Sequence, residues 1–132
     1  MSNTQKQNIL LVDDDKFLLD MYSMKFVQRG YNVQSCLSVN RALECIAQGF
    51  VPDAIVFDIT MPDHDGFWFL QTLRDKQIAP QTKKIALTNQ SSDAEKTKAA
   101  ELGADIYIVK ATMIPSEVVN TVASAIGSSA AK

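Results

Sequence analysis

Five short strand-like segments alternate with five longer segments of helical periodicity along this chain of 132 residues. The strand-like segments end at Val12, Cys36, Phe57, Leu87 and Val109. Short, largely apolar strands separated by helices favour a parallel sheet that is covered on both faces and joined by right-handed crossovers. The sequence therefore predicts a single α/β domain of doubly wound architecture.

The helical segments repeat apolar residues at the spacing of one buried helix face. Helices are predicted over residues 16–29, 38–48 and 93–102, another begins near residue 67, and the last begins at Pro115. The apolar stripe of the first helix consists of Phe17, Leu18, Met21, Tyr22 and Phe26. Asp15 precedes this helix and is expected to cap it. Ser92 and Glu95 have the spacing of a capping box for the fourth helix.

Composition narrows the possible classes of protein. A hydrophobic content of 46% suits one compact core, which we place at residues 8–127 between polar tails at 1–7 and 128–132. The formal net charge of −2 comes without a basic stripe, so direct binding to nucleic acid is not expected. No apolar run reaches the length of a signal sequence or a membrane span, so we expect a cytoplasmic protein without membrane contact. Cys36 and Cys45 lack the spacing of a metal or redox pair and are expected to be reduced, packed thiols.

Polar side chains follow four of the five strands. Asp13 and Asp14 follow the first strand, Asp58 the third, Thr88 the fourth and Lys110 the fifth. Ligands of such sheets bind beyond the carboxyl ends of the strands, where the strand order reverses, so these side chains should converge. Carboxylates about 4 Å apart repel by about 4 kcal/mol per pair at an effective dielectric constant of about 20, so the cluster requires a cation. Carboxylates, a cation, a hydroxyl and an ammonium are together what phosphoryl transfer to an acid needs.

The same residues carry a family resemblance. They are Asp13-Asp14, the signature Asp58-x-x-Met61-Pro62-x-x-Asp65-Gly66, Thr88, Tyr107 and Lys110. In this order, each near a strand end, they resemble the receiver domain of two-component response regulators, and the resemblance extends from about residue 8 to about residue 126. It implies a flavodoxin-like (βα)5 sandwich with a five-stranded parallel sheet of order 2-1-3-4-5.

The resemblance implies a role for each acid of the cluster. Asp58 would be the phosphoacceptor, which takes a phosphoryl group from a phosphohistidine on a histidine kinase or phosphotransfer protein, or from a small phosphodonor. Mg²⁺ is the implied cofactor, with Asp14 and Asp58 as direct ligands. Asp13 would act through water, and Thr60 would contribute its backbone carbonyl. Such a protein is not an enzyme for a separate substrate, because it catalyses only its own phosphorylation and dephosphorylation.

A conformational switch is also implied. Thr88 and Lys110 would contact the phosphoryl oxygens. In the family, the threonine then moves inward and Tyr107 would rotate into the vacated space, which alters the surface of the fourth helix, fifth strand and fifth helix. That surface would signal to a downstream protein or effector domain. The fourth helix suits this role because few apolar side chains anchor it to the core. They are Ala94, Ala99, Ala100 and Leu102.

Two positions depart from the family pattern. Ala111 replaces the proline that often follows the lysine with a cis peptide bond. A cis bond before any other residue costs about 2.5–4 kcal/mol, so we predict a trans bond and a re-routed loop after Lys110. Asn89 replaces the small residue that usually follows the threonine. Its side chain is therefore expected to narrow the access to Asp58 and to change the lifetime of the phosphoryl group.

Several apolar or aromatic residues fall outside this site. Trp68 is expected to face solvent, as its position usually does in the family, and to offer a contact surface. Leu19, Met24 and Val27 lie off the main stripe of the first helix, where a contact surface and core packing are both open. His64, the single histidine, lies between two acids in a turn and is expected to be an exposed loop residue. We predict a monomer or a weak dimer.

Other classes fit the strand ends less well. A phosphatase of the haloacid dehalogenase type needs a second aspartate two positions after the first, where this chain has Thr60. A flavodoxin needs a hydroxyl-rich phosphate loop after the first strand, where this chain has acids. No glycine-rich loop of the nucleotide-binding type is present. The alternative that stays open, because of Ala111, is a degenerate receiver that acts as a constitutive interaction module without phosphorylation.

Overall fold

The computed structural model describes residues 6–89 and 92–127. The tail predicted at 128–132 and most of the tail predicted at 1–7 lie outside the described residues. None of the helices in the described part of the chain is long and apolar enough to cross a membrane.

Strands and helices alternate as the sequence predicts. In chain order they are β1 (Asn8–Val12), α1 (Lys16–Gln28), β2 (Asn32–Cys36), α2 (Val39–Ala47), β3 (Ala54–Phe57), α3 (Gly66–Asp75), β4 (Lys83–Thr88), α4 (Asp93–Glu101), β5 (Ile106–Val109) and α5 (Pro115–Ala125). A short 3₁₀ helix, Lys110–Thr112, follows β5 and was not predicted. The strands form one sheet of order β2-β1-β3-β4-β5, in which all paired strands are parallel. The predicted doubly wound, flavodoxin-like architecture is confirmed.

The sheet separates two hydrophobic cores. In β1, Ile9 and Leu11 belong to the cluster under α1 and α5, whereas Leu10 and Val12 belong to the cluster under α2 and α3. Each of these four side chains is at most 2% exposed. Full burial of a side chain of this size stabilises the fold by about 1.5–3 kcal/mol. Burial on both faces of β1, an interior strand of the sheet, holds its carboxyl end, and the acids that follow it, in a fixed place.

The buried face of α1 differs from the predicted stripe. The buried residues of α1 are Leu19, Tyr22 and Phe26, whereas Phe17 is 79% exposed. Asp15 caps this helix as predicted, by accepting a hydrogen bond from a backbone N–H of its first turn. At about 100° per residue, Phe17 lies about 200° around the helix from Leu19, on the opposite side. The prediction for Phe17 was therefore wrong, and Leu19 is a core residue.

The fourth helix is attached to the core more weakly than predicted. Ser92 caps α4 as expected, since its side chain accepts a hydrogen bond from the N–H of Glu95 at 3.2 Å. Of the four anchors that the sequence suggested, only Ala99 is fully buried, whereas Ala94 and Ala100 are exposed. The apolar contribution to the attachment of α4 is thus small, and polar contacts carry more of it.

Candidate functional site

The acids of the site continue two neighbouring strands of the sheet. Val12 in β1 pairs with Phe57 in β3 at the last register position of these strands. The N–H of Asp58 donates to the carbonyl of Val12 at 3.0 Å, and the N–H of Asp13 donates to the carbonyl of Cys36 at 3.1 Å. These bonds extend the ladder by one residue, so both aspartates leave the sheet at the same edge.

Three carboxylates meet at this edge. Asp13, Asp14 and Asp58 each offer an oxygen, and these oxygens lie within 4.8 Å of one another. Asp13 is 6% and Asp58 7% exposed, whereas Asp14 is exposed to solvent. At this separation two carboxylates repel by about 3–4 kcal/mol at an effective dielectric constant of about 20. The cluster therefore has the composition and the charge of a site for a hard divalent cation.

Lys110 reaches the cluster from β5. Its Nζ lies 2.9 Å from Asp13 Oδ2 and 3.6 Å from Asp58 Oδ2, and its side chain is 8% exposed. Burial lowers the pKa of Lys110, but the hydrogen bond to Asp13 and the charge of Asp58 outweigh that effect, and the pKa is raised. The ammonium therefore stays protonated at neutral pH.

The loop after Lys110 has the trans geometry that the missing proline predicts. Every peptide bond of the described residues is trans, including the one before Ala111. The 3₁₀ helix begins at Lys110, and within it the hydroxyl of Thr112 donates to the carbonyl of Val109 at 2.8 Å. The loop directs the lysine side chain into the acidic cluster.

The carboxylate of Asp58 is held by the backbone of the next residue. Its Oδ1 accepts a hydrogen bond from the N–H of Ile59 at 2.8 Å, which fixes the orientation of the group. Burial raises the pKa of Asp58 to about 6; the Lys110 ammonium opposes this rise, and the charge of Asp13 adds to it. The metal-free site therefore disfavours the charged form of this acid.

Gly66 allows the loop after β3 to return to the site. Its N–H donates to the carbonyl of Ile59 at 2.8 Å. A Cβ at this position would lie 2.7 Å from the carbonyl oxygen of Asp58 and 2.9 Å from the Cα of Ile59, closer than real side chains come. Asp65 then caps α3 by accepting a hydrogen bond from the N–H of Trp68 at 2.9 Å. The Asp-Gly pair of the signature thus starts α3 directly against the backbone of Asp58.

A cavity of about 280 Å³ opens over the acids. Its lining residues are Asp13, Asp14, Asp15, Leu18, Asp58, Thr60, Asn89 and Lys110. Asn89 is exposed and borders the cavity. The structure brings together every predicted site residue in this lining except two, Thr88 and Tyr107.

Thr88 and Tyr107 meet at Glu95, a residue that the sequence did not connect to the site. Thr88 is 0% exposed, and its hydroxyl donates to Glu95 Oε1 at 3.5 Å. The hydroxyl of Tyr107 donates to the same oxygen at 2.6 Å. Burial, then the hydrogen bond to Glu95, raise the pKa of Tyr107 to about 12. The capping-box spacing singled out Glu95 only as a helix-start residue, and no sequence signal connects it to Tyr107.

His64 and Trp68 form a stacked pair beside the site. Their ring centroids are 3.6 Å apart at an interplanar angle of 10°. Trp68 is 40% exposed, which confirms its predicted exposure. His64 is half-buried by this stacking, so the prediction of an exposed loop residue was wrong in that respect.

The two cysteines behave as predicted. Both are free thiols; Cys36 is buried and Cys45 is half-buried. Burial, with a smaller contribution from Cys45, raises the pKa of Cys36 to about 12. A thiol with so high a pKa is a poor nucleophile, so Cys36 is a packing residue.

The arrangement of fold and site agrees with comparisons to known proteins. The family model of the response regulator receiver domain matches residues 9–123 of this chain. The chain therefore belongs to the family of response regulator receiver domains of two-component systems.

Individual relatives are similar at moderate sequence identity. The regulatory protein VanR of Enterococcus faecium is 32% identical over 102 residues, which are 77% of this chain and 42% of that protein. Among solved structures, the CheY-like receiver domain protein of Methanospirillum hungatei JF-1 has a TM-score of 0.84 at 28% identity and matches 93% of this chain and 95% of its own. The chemotaxis protein CheY4 of Vibrio cholerae has a TM-score of 0.82 at 28% identity, over 91% of this chain and 98% of its own.

Proposed function

We propose that this domain is a phosphoacceptor switch in which Asp58 takes a phosphoryl group from a phosphohistidine donor. The observation that carries the proposal is the surroundings of Asp58. Its carboxylate lies within 4.8 Å of two further acids and 3.6 Å from the Lys110 ammonium, in a cavity open at the edge of the sheet. Buried, oriented nucleophiles beside fixed positive charge are typical of covalent phosphoryl transfer.

In the proposed reaction, a carboxylate oxygen of Asp58 forms a bond to phosphorus as the bond between phosphorus and the donor's histidine nitrogen breaks. The N–H of Ile59 keeps the attacking carboxylate in one orientation throughout. Lys110 stays protonated and neutralises charge on the phosphoryl oxygens, an electrostatic contribution that grows in a partly buried site. Attack of water on the phosphorus later releases phosphate and regenerates Asp58.

A divalent cation fits the donor set. Asp13, Asp14, Asp58 and the backbone carbonyl of Thr60 are the groups that would hold Mg²⁺, a cation that prefers few carboxylates and keeps several waters. When bound, the ion supplies positive charge that offsets the repulsion among the acids and that of the incoming phosphoryl group.

Thr88 and Tyr107 are proposed as the switch. A phosphoryl group on Asp58 offers new acceptors to the Thr88 hydroxyl, and only such a differential contact shifts a two-state equilibrium. The surface that would change is that of α4, β5 and α5, and its reader would be a downstream protein or effector domain. The chain spans 42% of VanR, so the output of a complete regulator stays a prediction, as do the cytoplasmic location and the monomeric or weakly dimeric state.

The degenerate receiver is the competing interpretation. Its basis is that Ala111 replaces proline, yet Lys110 contacts Asp13 at 2.9 Å all the same. That contact supports the phosphoacceptor over a module that has lost its chemistry.

The test is the intact mass of the protein after incubation with Mg²⁺ and acetyl phosphate, beside Asp58→Asn and Asp53→Asn. Asp53 is an exposed acid that accepts a backbone hydrogen bond from Asn8 away from the cavity. We expect one phosphoryl adduct in the wild type and in Asp53→Asn, and none in Asp58→Asn or without Mg²⁺. An unmodified wild type, under conditions that modify a known receiver, would favour the unphosphorylated module.

A further inference from the structure

One carboxylate oxygen joins the two proposed switch residues. Glu95 Oε1 accepts the hydroxyl of Tyr107 at 2.6 Å and the hydroxyl of Thr88 at 3.5 Å. Glu95 lies in the first turn of α4, Thr88 at the end of β4 and Tyr107 in β5. A single side chain thus connects the end of the strand that borders the site to the helix and strand of the proposed output surface.

We propose that Glu95 is a positioning residue that holds the Thr88 and Tyr107 hydroxyls in the arrangement of the unphosphorylated protein and so couples α4 to the site. The inference rests on the proposed function of Asp58. It adds a residue to the switch and gives α4 a physical link to it.

The two hydrogen bonds to Glu95 differ in strength. The difference determines which hydroxyl is released more easily on phosphorylation. A hydroxyl that donates to a carboxylate at 2.5–2.7 Å is a short, charge-assisted bond, roughly twice as strong as a neutral one. The contact of Tyr107 falls in that range, whereas a contact at 3.5 Å is at the limit of a hydrogen bond. Thr88 therefore leaves Glu95 at little cost when a phosphoryl oxygen becomes available. Rotation of Tyr107 has to break the stronger bond.

Because α4 is weakly attached, the link through Glu95 contributes to the position of the helix. Ala99 is its one fully buried residue within the described chain. Besides partly buried Leu102 at the end of the helix, two polar contacts hold α4: the Lys98 ammonium lies 4.4 Å from the centre of the Phe67 ring, and the Arg74 guanidinium donates to the carbonyl of Glu101 at 2.6 Å. Both of these tie α4 to α3. The carboxylate of Glu95 ties its first turn to β4 and β5.

Thermodynamic linkage predicts how the loss of Glu95 changes the affinity for a phosphoryl group. A group that stabilises only the unphosphorylated arrangement opposes phosphoryl binding, and its removal favours that binding by the same factor. Loss of one net hydrogen bond corresponds to about a threefold to tenfold change in an equilibrium constant. Glu95→Gln and Glu95→Ala should therefore bind a phosphoryl mimic more tightly than the wild type does.

The experiment is a titration of the Mg²⁺-loaded protein with beryllofluoride, a phosphoryl mimic. Binding is monitored by the fluorescence of Trp68, the single tryptophan. Glu101→Gln is the matched control, because it removes the same charge from an exposed position of the same helix. The expected result is an apparent affinity about threefold to tenfold higher for Glu95→Ala, a smaller rise for Glu95→Gln, and no change for Glu101→Gln. Affinities of the two Glu95 variants that match the control would overturn the proposal.

A second readout does not depend on phosphoryl chemistry. The ring resonances of labelled tyrosine, assigned with Tyr107→Phe, report the titration of the Tyr107 phenol, whose pKa is raised to about 12. In Glu95→Gln this pKa should fall toward its ordinary value, and in Glu101→Gln it should not. If the wild type binds no mimic and forms no adduct, the proposed function of Asp58 fails, and the titration alone then decides whether Glu95 positions Tyr107. An unchanged phenol pKa in Glu95→Gln rejects that role.

Discussion

Lys110 and Asp13 form a buried ion pair across 97 positions of the chain, with Nζ 2.9 Å from Oδ2 and each side chain 8% exposed. The pair joins the end of β5 to the end of β1, two strands that are not neighbours in the sheet. The pair holds the lysine at the cavity in the unmodified protein. Both the stability of the metal-free domain and its proposed chemistry depend on this contact.

Removal of the lysine should destabilise the metal-free protein. Lys110→Ala leaves buried carboxylates without their counter-charge, and breaking a buried pair from one side costs about 3–5 kcal/mol. Urea unfolding in the presence of a chelator measures this loss, and saturating Mg²⁺ should restore part of it by supplying positive charge. Lys16→Ala removes an exposed i,i+4 partner of Asp20 and should cost less than about 1 kcal/mol. Equal losses in the two variants would contradict a structural role for the Lys110 pair.

Asp58 should make the stability of the metal-free protein depend on pH. Its pKa of about 6 in the folded protein lies above the ordinary value of 3.8, so the folded state holds this proton more tightly than the unfolded state does. The resulting stabilisation is complete below about pH 4 and is lost as the pH rises through about 6. Asp58→Asn has no such dependence and should gain stability relative to the wild type over this window, by at most about 3 kcal/mol.

Chemical denaturation of both proteins at several pH values, with a chelator present, gives this difference. Saturating Mg²⁺ should reduce it, because the cation stabilises the charged carboxylate. If the free energies of unfolding of the wild type and Asp58→Asn differ by the same amount at every pH from 4 to 7, the raised pKa of Asp58 is ruled out.

Gly66→Ala should damage both stability and phosphorylation. The new Cβ would lie 2.7 Å from the carbonyl oxygen of Asp58, so the backbone of the acceptor has to move. Overpacking of this kind costs about 1–3 kcal/mol, and the rate of adduct formation should fall with it. Gln71→Ala, at an exposed position of the same helix, serves as the control and should change stability by less than about 1 kcal/mol. A Gly66→Ala protein with wild-type stability and rate would mean that the loop accepts a side chain there.

His64→Ala should alter the fluorescence of Trp68 without altering phosphorylation. The two rings stack at 3.6 Å, so removal of the imidazole changes the surroundings of the indole. His64 lies outside the residues that line the cavity, and the Mg²⁺-dependent rate of adduct formation should therefore stay at the wild-type level. Loss of Mg²⁺ dependence in this variant would instead identify His64 as part of the metal site.

The architecture and the acidic cluster were predictable from the sequence. The alternation of strands and helices implied a parallel sheet, and such a sheet collects the residues after its strands at one edge. Asp13, Asp58 and Lys110 each follow a strand directly, so their convergence required no knowledge of side-chain packing. The trans bond before Ala111 followed from the covalent chemistry of a peptide bond without proline.

The burial of individual helix residues was less predictable. Phe17 and Leu19 are both apolar and only two positions apart, so the choice between them depends on the rotation of α1 about its axis. That rotation is set by contacts of the helix with the sheet and with α5. The half-burial of His64 likewise depends on its stacking on Trp68 in the next helix.

The sequence by itself determined the fold class and the order of the chemical groups along the sheet edge, because strand ends and charges are local properties. Only the tertiary structure decided that the hydroxyls of Thr88 and Tyr107 share Glu95. These three residues come from three different elements, and whether their polar atoms meet depends on the position of α4. Because little apolar burial fixes that helix, no pattern of hydrophobic residues in the sequence specifies where its first turn lies.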